Sequence, residues 1–125
     1  HQSKIPTISM KNKAGKVVKP DLDTFQAAAA NADWKNAPPG FALMLIDQPG
    51  DTSWPIVGVT WIMIHRDQPD AEKGQAVLKF FDWAYKNGDA MAKELHYVPM
   101  PDNVVDMVEK GWAQEIKSGG KPLWP

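Results

Sequence analysis

The stretch from Trp54 to His65 constrains the fold of this chain more than any other segment. Side chains alternate between the two faces of a β-strand, so a strand exposed on one side alternates between apolar and polar residues. Both alternating sets are apolar here. One set is Ile56, Thr60, Ile62 and Ile64, and the other is Val57, Val59, Trp61 and Met63. The pattern predicts a strand covered on both faces, in the middle of an α/β sheet flanked by helices.

Helical patterns lie on both sides of this segment. Pro20-Asp21 predicts the start of a helix through Ala30, because Asp21 can cap free backbone N–H groups and four consecutive alanines favour helix. After the strand, a helix is predicted over Pro69 to Lys86, ended by Asn87-Gly88 in a left-handed cap. Its apolar stripe is Val77, Leu78, Phe81, Ala84 and Tyr85. Two further helices are predicted at 90–95 and 102–116, the last with Val105, Val108, Trp112 and Ile116 on one side.

Few other strands are predicted. Residues 5–10 and 16–18 are expected to form a hairpin around the lysine-rich turn 11–15, residues 41–46 are a short strand candidate, and residues 118–122 are expected to be loose. A strand that is apolar on both faces needs neighbouring strands to satisfy its backbone groups. The shortage of partners indicates part of a larger protein.

Charge and composition exclude several classes of function. With 14 basic and 15 acidic residues the net charge is −1, which gives no bulk attraction to nucleic acid or anionic lipid. Arg66 is the one arginine, and cysteine is absent, which removes disulfides, thiolate zinc sites and cysteine nucleophiles. The longest apolar stretch is too short to cross a bilayer, and no signal peptide is recognisable at the start of the sequence. For an exported protein, that start implies processing or truncation.

No catalytic or metal site is predicted. The three histidines, His1, His65 and His96, are too far apart in sequence for a helical metal pair. His65-Arg66-Asp67 could be an acid–base cluster, but polar residues that close a buried strand are the favoured interpretation. Six tryptophans invite a ligand-stacking hypothesis, although core packing is favoured for those within regular elements.

Four lysines of the N-terminal hairpin, Lys11, Lys13, Lys16 and Lys19, form a local basic patch. Such a patch could meet an anionic partner. A solvated hairpin surface is the favoured interpretation at this point.

The order and spacing of several motifs resemble the end of the periplasmic phosphate-binding proteins that serve phosphate ABC importers. The similarity covers nearly the whole chain. The motifs are Asp51-Thr52-Ser53-Trp54-Pro55-Ile56, Ile62-Met63-Ile64-His65, Lys79-Phe80-Phe81-Asp82-Trp83-Ala84-Tyr85, Leu95-His96-Tyr97-Val98-Pro99-Met100-Pro101-Asp102, Trp112 and Gly120-Lys121-Pro122-Leu123.

The resemblance implies an α/β, two-lobed periplasmic-binding-protein fold of type II, of which this chain is the carboxy-terminal part. Residues 1–53 would end the second lobe, 54–64 would be the strand crossing between lobes, and 65–125 would complete the first lobe. The hinge is expected at Ser53, Trp54 and Pro55. The family's phosphate-binding groups lie upstream of this portion, so no phosphate ligand is assigned here.

The function implied by the resemblance is capture of inorganic phosphate between the lobes and its delivery to the membrane permease, in the periplasm, without a cofactor and without catalysis. This portion alone is expected not to bind phosphate at the family's site, and copies of it could associate with one another. The alternative is a free-standing interaction module or truncated lobe that does not bind phosphate. An enzyme is the least favoured of the three possibilities, because nucleophile, base and oxyanion donors cannot be assembled from these residues.

Overall fold

The computed structural model describes residues 5–125, which fall into two compact units that divide between Thr60 and Trp61. Both units combine helices with very short strands, so the chain is of mixed α and β structure. Among the described residues, no helix has the length and apolar character needed to cross a membrane.

The first unit begins with the predicted hairpin. Strands β1, Met10–Lys11, and β2, Val17–Val18, pair antiparallel, with Met10 opposite Val18 and Lys11 opposite Val17. Gly15 adopts φ +78° in the turn, a conformation that glycine reaches without steric cost. The hairpin is confirmed, although its ladder is shorter than predicted.

Helix α1, Leu22–Ala30, starts where the sequence predicts. The Asp21 carboxylate accepts a hydrogen bond from the Thr24 backbone N–H at 2.9 Å, and the Thr24 hydroxyl accepts one from the Asp21 N–H at 3.1 Å. This reciprocal pair is a capping box. The helix buries Ala28 and Ala29, and two short 3₁₀ turns follow at Trp34–Asn36 and Pro39–Phe41.

The predicted strand at 41–46 is wrong. The chain has no regular structure between residues 42 and 45, and Ile46 makes one isolated bridge, with Ile56. Prolines at 38 and 39 precede this region, and Gly40 and Phe41 both take positive φ, which turns the chain away from an extended course. Leu45 is nonetheless buried, so its apolar character reflects the core of the unit and not a ladder.

No ladder forms over 54–64 within the described residues, so the predicted crossing strand stays a prediction. After the single bridge at Ile56, residues 57–64 form no ladder with any other part of residues 5–125. Several of its apolar side chains are exposed, including Met63 at 96%. A ladder requires a neighbouring backbone that donates and accepts hydrogen bonds, and the described chain provides none beside this segment.

The second unit is mainly helical. Its elements are helices α2, Ala71–Asn87, α3, Asp89–Glu94, and α4, Asp102–Glu115, followed by strands β3, Lys117–Ser118, and β4, Lys121–Pro122. The core combines the three predicted residues Leu78, Trp112 and Ile116 with Leu123 from the tail. The Trp112 ring stacks on Tyr85 at a centroid distance of 6.1 Å and meets Trp124 edge to face at 5.4 Å.

Two local predictions in this unit are wrong. Gly88 ends α2 in a right-handed conformation, with φ −89°, and its small size matters because an added Cβ would lie 2.4 Å from the Ala84 carbonyl oxygen. The tail is not loose, because β3 and β4 pair antiparallel around Gly119-Gly120, which both take positive φ. Burial of Leu123 in the core fixes this second hairpin.

Candidate functional site

The predicted hinge residues lie at a tightly bonded turn of the first unit. Ser53 is fully buried, and its hydroxyl donates to the Pro49 carbonyl oxygen at 2.6 Å. The same hydroxyl oxygen accepts a hydrogen bond from the Asn31 side-chain amide at 3.3 Å. A buried hydroxyl with both functions satisfied holds its turn in one conformation.

A second amide, that of Asn12 in the N-terminal hairpin, supports the turn from the other side. Its Nδ2 atom lies 3.1 Å from the Gly50 carbonyl oxygen, 2.9 Å from that of Asp51 and 3.2 Å from that of Ser53. Its Oδ1 atom accepts from the Lys16 backbone N–H at 2.9 Å. Asn12 therefore joins the hairpin to the turn through atoms that would otherwise be buried without partners.

Trp54 and Pro55 continue this anchorage. The Trp54 N–H donates to the carbonyl oxygen of Thr24 at 3.0 Å, and the Trp54 ring meets Phe25 edge to face at 6.3 Å. The Pro55 carbonyl oxygen accepts from the Asp47 N–H at 2.9 Å. Residues 53–55 are thus fixed to the first unit by backbone and side-chain contacts, immediately before a segment without regular structure.

Gly50 is required by the geometry of the turn. Its φ of +113° lies in a region that side-chain-bearing residues rarely adopt. A Cβ at this position would lie 2.5 Å from the Asn31 side-chain nitrogen and 2.7 Å from the Ser53 hydroxyl oxygen. Close approach of the Asn31 and Ser53 side chains is therefore possible only where residue 50 has none.

The helix N-termini in the described chain carry acidic residues of their own. The Asp21 carboxylate caps α1, the Asp70 carboxylate accepts from the Lys73 N–H at 3.1 Å at the start of α2, and Asp102 lies in the first turn of α4. A helix N-terminus attracts anions through its free N–H groups and dipole, and an occupying carboxylate repels a second anion. The assignment of phosphate ligands outside this portion remains a prediction.

The structure gives His65-Arg66-Asp67 a structural position. Arg66 Nε lies 3.0 Å from a carboxylate oxygen of Glu115, and the Arg66 carbonyl oxygen accepts from the Lys117 N–H at 2.8 Å. Asp67 pairs with Lys117 in an isolated bridge. These contacts tie the start of the second unit to its final hairpin.

A group of charged residues between α2 and α4 is a feature that the sequence analysis missed. Asp82 and Glu109 each bury a carboxylate oxygen, and the Lys86 ammonium contacts the Asp82 carboxylate. Burial, a hydrogen bond to Asp82 and the negative charge of Asp82 raise the pKa of Glu109 above its ordinary value. Burial, and secondly the charge of Glu109, raise the pKa of Tyr85.

The sequence offered little signal for these polar contacts. Asn12 stands in a lysine-rich turn, where asparagine is expected for its tolerance of turn conformations and not for long-range bonds to residues 50–53. Asp82 and Glu109 are far apart in sequence and meet through the packing of α2 on α4. Identification of both contacts required the tertiary structure.

Comparison with known proteins identifies relatives along nearly the whole chain, although no protein-family model matches it. A phosphate-binding protein of Pasteurella multocida is 43% identical over 124 residues, which cover 98% of this chain and 36% of the relative. One from Xylella fastidiosa is 41% identical over 116 residues, covering 93% of this chain and 32% of the relative. One from Haemophilus influenzae is 37% identical over 116 residues, covering 93% of this chain and 34% of the relative.

These matches define the class of the chain, which is that of the phosphate-binding proteins. The relatives share the name PstS, and the chain belongs to this family as a portion that spans about a third of their length. The resemblance noted in the sequence is thereby confirmed. The coverage is consistent with the predicted carboxy-terminal portion. The relatives are named as binding proteins, which fits the expectation that the chain has no catalytic role.

Proposed function

We propose that this chain is the carboxy-terminal part of the phosphate-binding component of an ABC-type phosphate importer. The supporting observation is identity of 37–43% to phosphate-binding proteins over nearly all of its residues. The complete component captures inorganic phosphate between two lobes of a type II periplasmic-binding-protein fold. It releases the anion to the membrane permease from the periplasmic side.

In this proposal the chain crosses between lobes along residues 54–64. Residues 1–53 end the second lobe, and residues 65–125 complete the first. The crossing leaves an anchored turn at Ser53, Trp54 and Pro55, and then continues without regular structure, with several apolar side chains exposed. An extended segment of this composition is stabilised when strands from the remainder of the protein pair with it and helices cover its faces.

Ser53, Trp54 and Pro55 act in this scheme as the fixed base of the hinge. Closure of two lobes concentrates rotation in a few residues that lack packing, beside residues that are held firmly. The bonded turn before Ile56 and the unpaired backbone after it provide this contrast within a few residues. Rotation is therefore assigned to the residues that follow Pro55. Residues 53–55 would move with the rest of the first unit, most of which belongs to the second lobe in this proposal.

The phosphate ligands belong to the part of the protein that precedes this portion in the family. Phosphate recognition needs convergent N–H and hydroxyl donors, and the helix starts described above present carboxylates instead. The 125-residue chain alone is accordingly expected not to bind phosphate with micromolar affinity.

Isothermal titration of phosphate into two proteins tests the proposal. The first is the 125-residue chain, and the second is the product of the complete gene without any export signal. Heat of binding from the longer product alone is expected, with recovery of unchanged phosphate afterwards. Micromolar binding by the 125-residue chain, absence of binding by the longer product, or turnover of a phosphate compound would contradict the assignment.

A further inference from the structure

The positive charge of the chain is concentrated at its N-terminal end. The first twenty residues hold five of the fourteen basic residues and none of the fifteen acidic ones. The remainder of the chain is therefore strongly acidic on balance. This separation produces a local positive field that the net charge of −1 conceals.

The hairpin register places part of this charge on one outward face. Lys11 lies opposite Val17, so both project from the same side of the two-stranded ladder. Asn12 and Val18 belong to the other side, and both are buried. The Lys11–Val17 side is consequently the one that faces solvent, and Val17 is 75% exposed there.

Three more lysines and two aliphatic residues are exposed at this end of the chain, with Lys16 on the Asn12 side of the ladder. Lys13, Lys16 and Lys19 are all exposed around the turn and the second strand. Ile5 and Ile8 are each 73% exposed in the segment leading to β1. We call the set of Lys11, Lys13, Lys16, Lys19 and Val17 the basic hairpin face.

We propose that the basic hairpin face docks on an anionic lipid surface. Lysines near such a surface gain electrostatic attraction from its negative potential, and exposed aliphatic side chains beside them can enter the headgroup region. The three bonds from Asn12 to residues 50–53 hold the hairpin in place, so little conformational freedom is lost on docking.

The composition of the face favours lipid over other anionic partners. Protein interfaces are enriched in arginine and aromatic residues and depleted in lysine, whereas residues 5–20 contain four lysines and neither arginine nor aromatic residues. The same lack of aromatic residues and arginine disfavours single-stranded nucleic acid, which is bound through stacking. A lipid surface needs only a cluster of positive charges and shallow apolar contacts, and the basic hairpin face provides both.

Co-sedimentation with vesicles tests this docking in the 125-residue chain. The chain is expected to bind vesicles of phosphatidylcholine with phosphatidylglycerol at low ionic strength, and to dissociate from them at high ionic strength. Vesicles of phosphatidylcholine alone should bind it weakly. Changing the four lysines to glutamine should lower the partition coefficient by about fivefold per lysine, since each contributes about fivefold near an anionic surface.

A matched control carries the same total charge change elsewhere. Lys35, Lys79, Lys93 and Lys110 are all exposed, and their combined change to glutamine should leave most of the vesicle binding in place. Val17→Ser tests the apolar contact and should weaken binding slightly without altering its dependence on salt. Circular dichroism of each variant confirms that the helices are retained.

Three outcomes would overturn the proposal. Equal partition onto neutral and anionic vesicles would remove the electrostatic basis. Equal loss of binding in the two quadruple variants would show that net charge, and not the basic hairpin face, is responsible. Binding to polyglutamate as tight as binding to anionic vesicles would identify an acidic polypeptide as the partner. Phosphate titration of the same preparations tests the proposed function separately, because none of these three outcomes depends on phosphate binding.

Discussion

Gly50 and Gly40 both take a positive φ, but only Gly50 is crowded. At Gly40 an added Cβ would meet nothing within 4 Å, whereas at Gly50 it would meet Asn31 and Ser53 at under 3 Å. A side chain at Gly40 would therefore cause backbone strain alone, whereas one at Gly50 would cause both backbone strain and steric overlap. Backbone strain of this kind costs about 1–3 kcal/mol for a residue other than glycine.

We expect Gly50→Ala to lower the free energy of unfolding by at least about 2 kcal/mol more than Gly40→Ala, since it also displaces the buried Ser53 hydroxyl. Urea denaturation followed by tryptophan fluorescence measures both. Similar losses in the two variants would mean that the Asn31–Ser53 contact moves aside easily and does not rigidify the turn.

Glu109 gives the second unit a dependence on pH with a definite sign. Its pKa is raised in the folded state, first by burial and then by Asp82, against an ordinary value of 4.5. The positive charge of Lys86 lowers the pKa of Glu109, and the negative charge of Asp106 raises it further. A raised carboxyl pKa means that the folded state holds its proton more tightly, so stability falls as pH rises from 4.5 through the folded-state value.

Glu109→Gln, which is neutral at every pH, should remove this fall. The variant is expected to be more stable than the parent at neutral pH and to lose the advantage below the ordinary pKa of glutamate. Urea midpoints across this range measure the effect, and Glu115→Gln is the control because Glu115 belongs to an exposed ion pair. Parallel pH profiles for Glu109→Gln and the parent would contradict the assigned pKa direction.

At the scale of elements, the helices and the N-terminal hairpin could be predicted, but the course of residues 41–46 and 54–64 could not. Asp21 caps its helix as the sequence predicts, and Leu78, Trp112 and Ile116 enter the core from the predicted stripes. Helix boundaries depend on neighbouring residues, which the sequence shows directly. The segment 54–64 has the composition of a buried strand, but ladder formation depends on a partner backbone that this chain lacks beside it.

The candidate site could likewise be predicted only in part, from its local motif and not from its distant contacts. Ser53, Trp54 and Pro55 could be singled out from their motif, and the structure places them in a buried, bonded turn. Their support by Asn12, Asn31 and Thr24 depends on contacts between residues distant in sequence, which no local pattern reveals. The predicted hinge at these residues, of which they are proposed to form the fixed base, remains a prediction that needs the complete protein.

Leu78 and Val77 are neighbours on α2 that test which part of the helix stabilises the second unit. Leu78 is fully buried in the core with Trp112 and Leu123, while Val77 is 41% exposed. Leu78→Ala should reduce the free energy of unfolding by about 2–5 kcal/mol, as expected for a buried leucine. Val77→Ala should reduce it by less than about 1 kcal/mol. Thermal and urea unfolding compare them, and equal effects would contradict the assigned core.

At the scale of the whole molecule, both units expose apolar side chains that a complete protein would be expected to cover. In the first unit these include Ile46 and Ile56, and in the second Trp61, Phe80 and Trp83, each about half or more exposed. Exposed apolar surface of this kind favours association, because its removal from water is favourable whichever surface covers it.

The 125-residue chain is therefore expected to associate with itself at micromolar concentrations, whereas the product of the complete gene should remain monomeric. Sedimentation velocity over a dilution series measures both. Replacing Trp61, Ile62 and Met63 together by serine should shift the 125-residue chain toward monomer, because this exposed stretch has no ladder partner within the described chain. As a matched control, replacing three exposed polar residues by serine should leave its association unchanged. These residues are Gln114, Glu94 and Asn36. Monomeric behaviour of the unmodified chain at high concentration would show that its apolar segments are satisfied without the rest of the protein, which would also remove the main physical argument for a crossing strand.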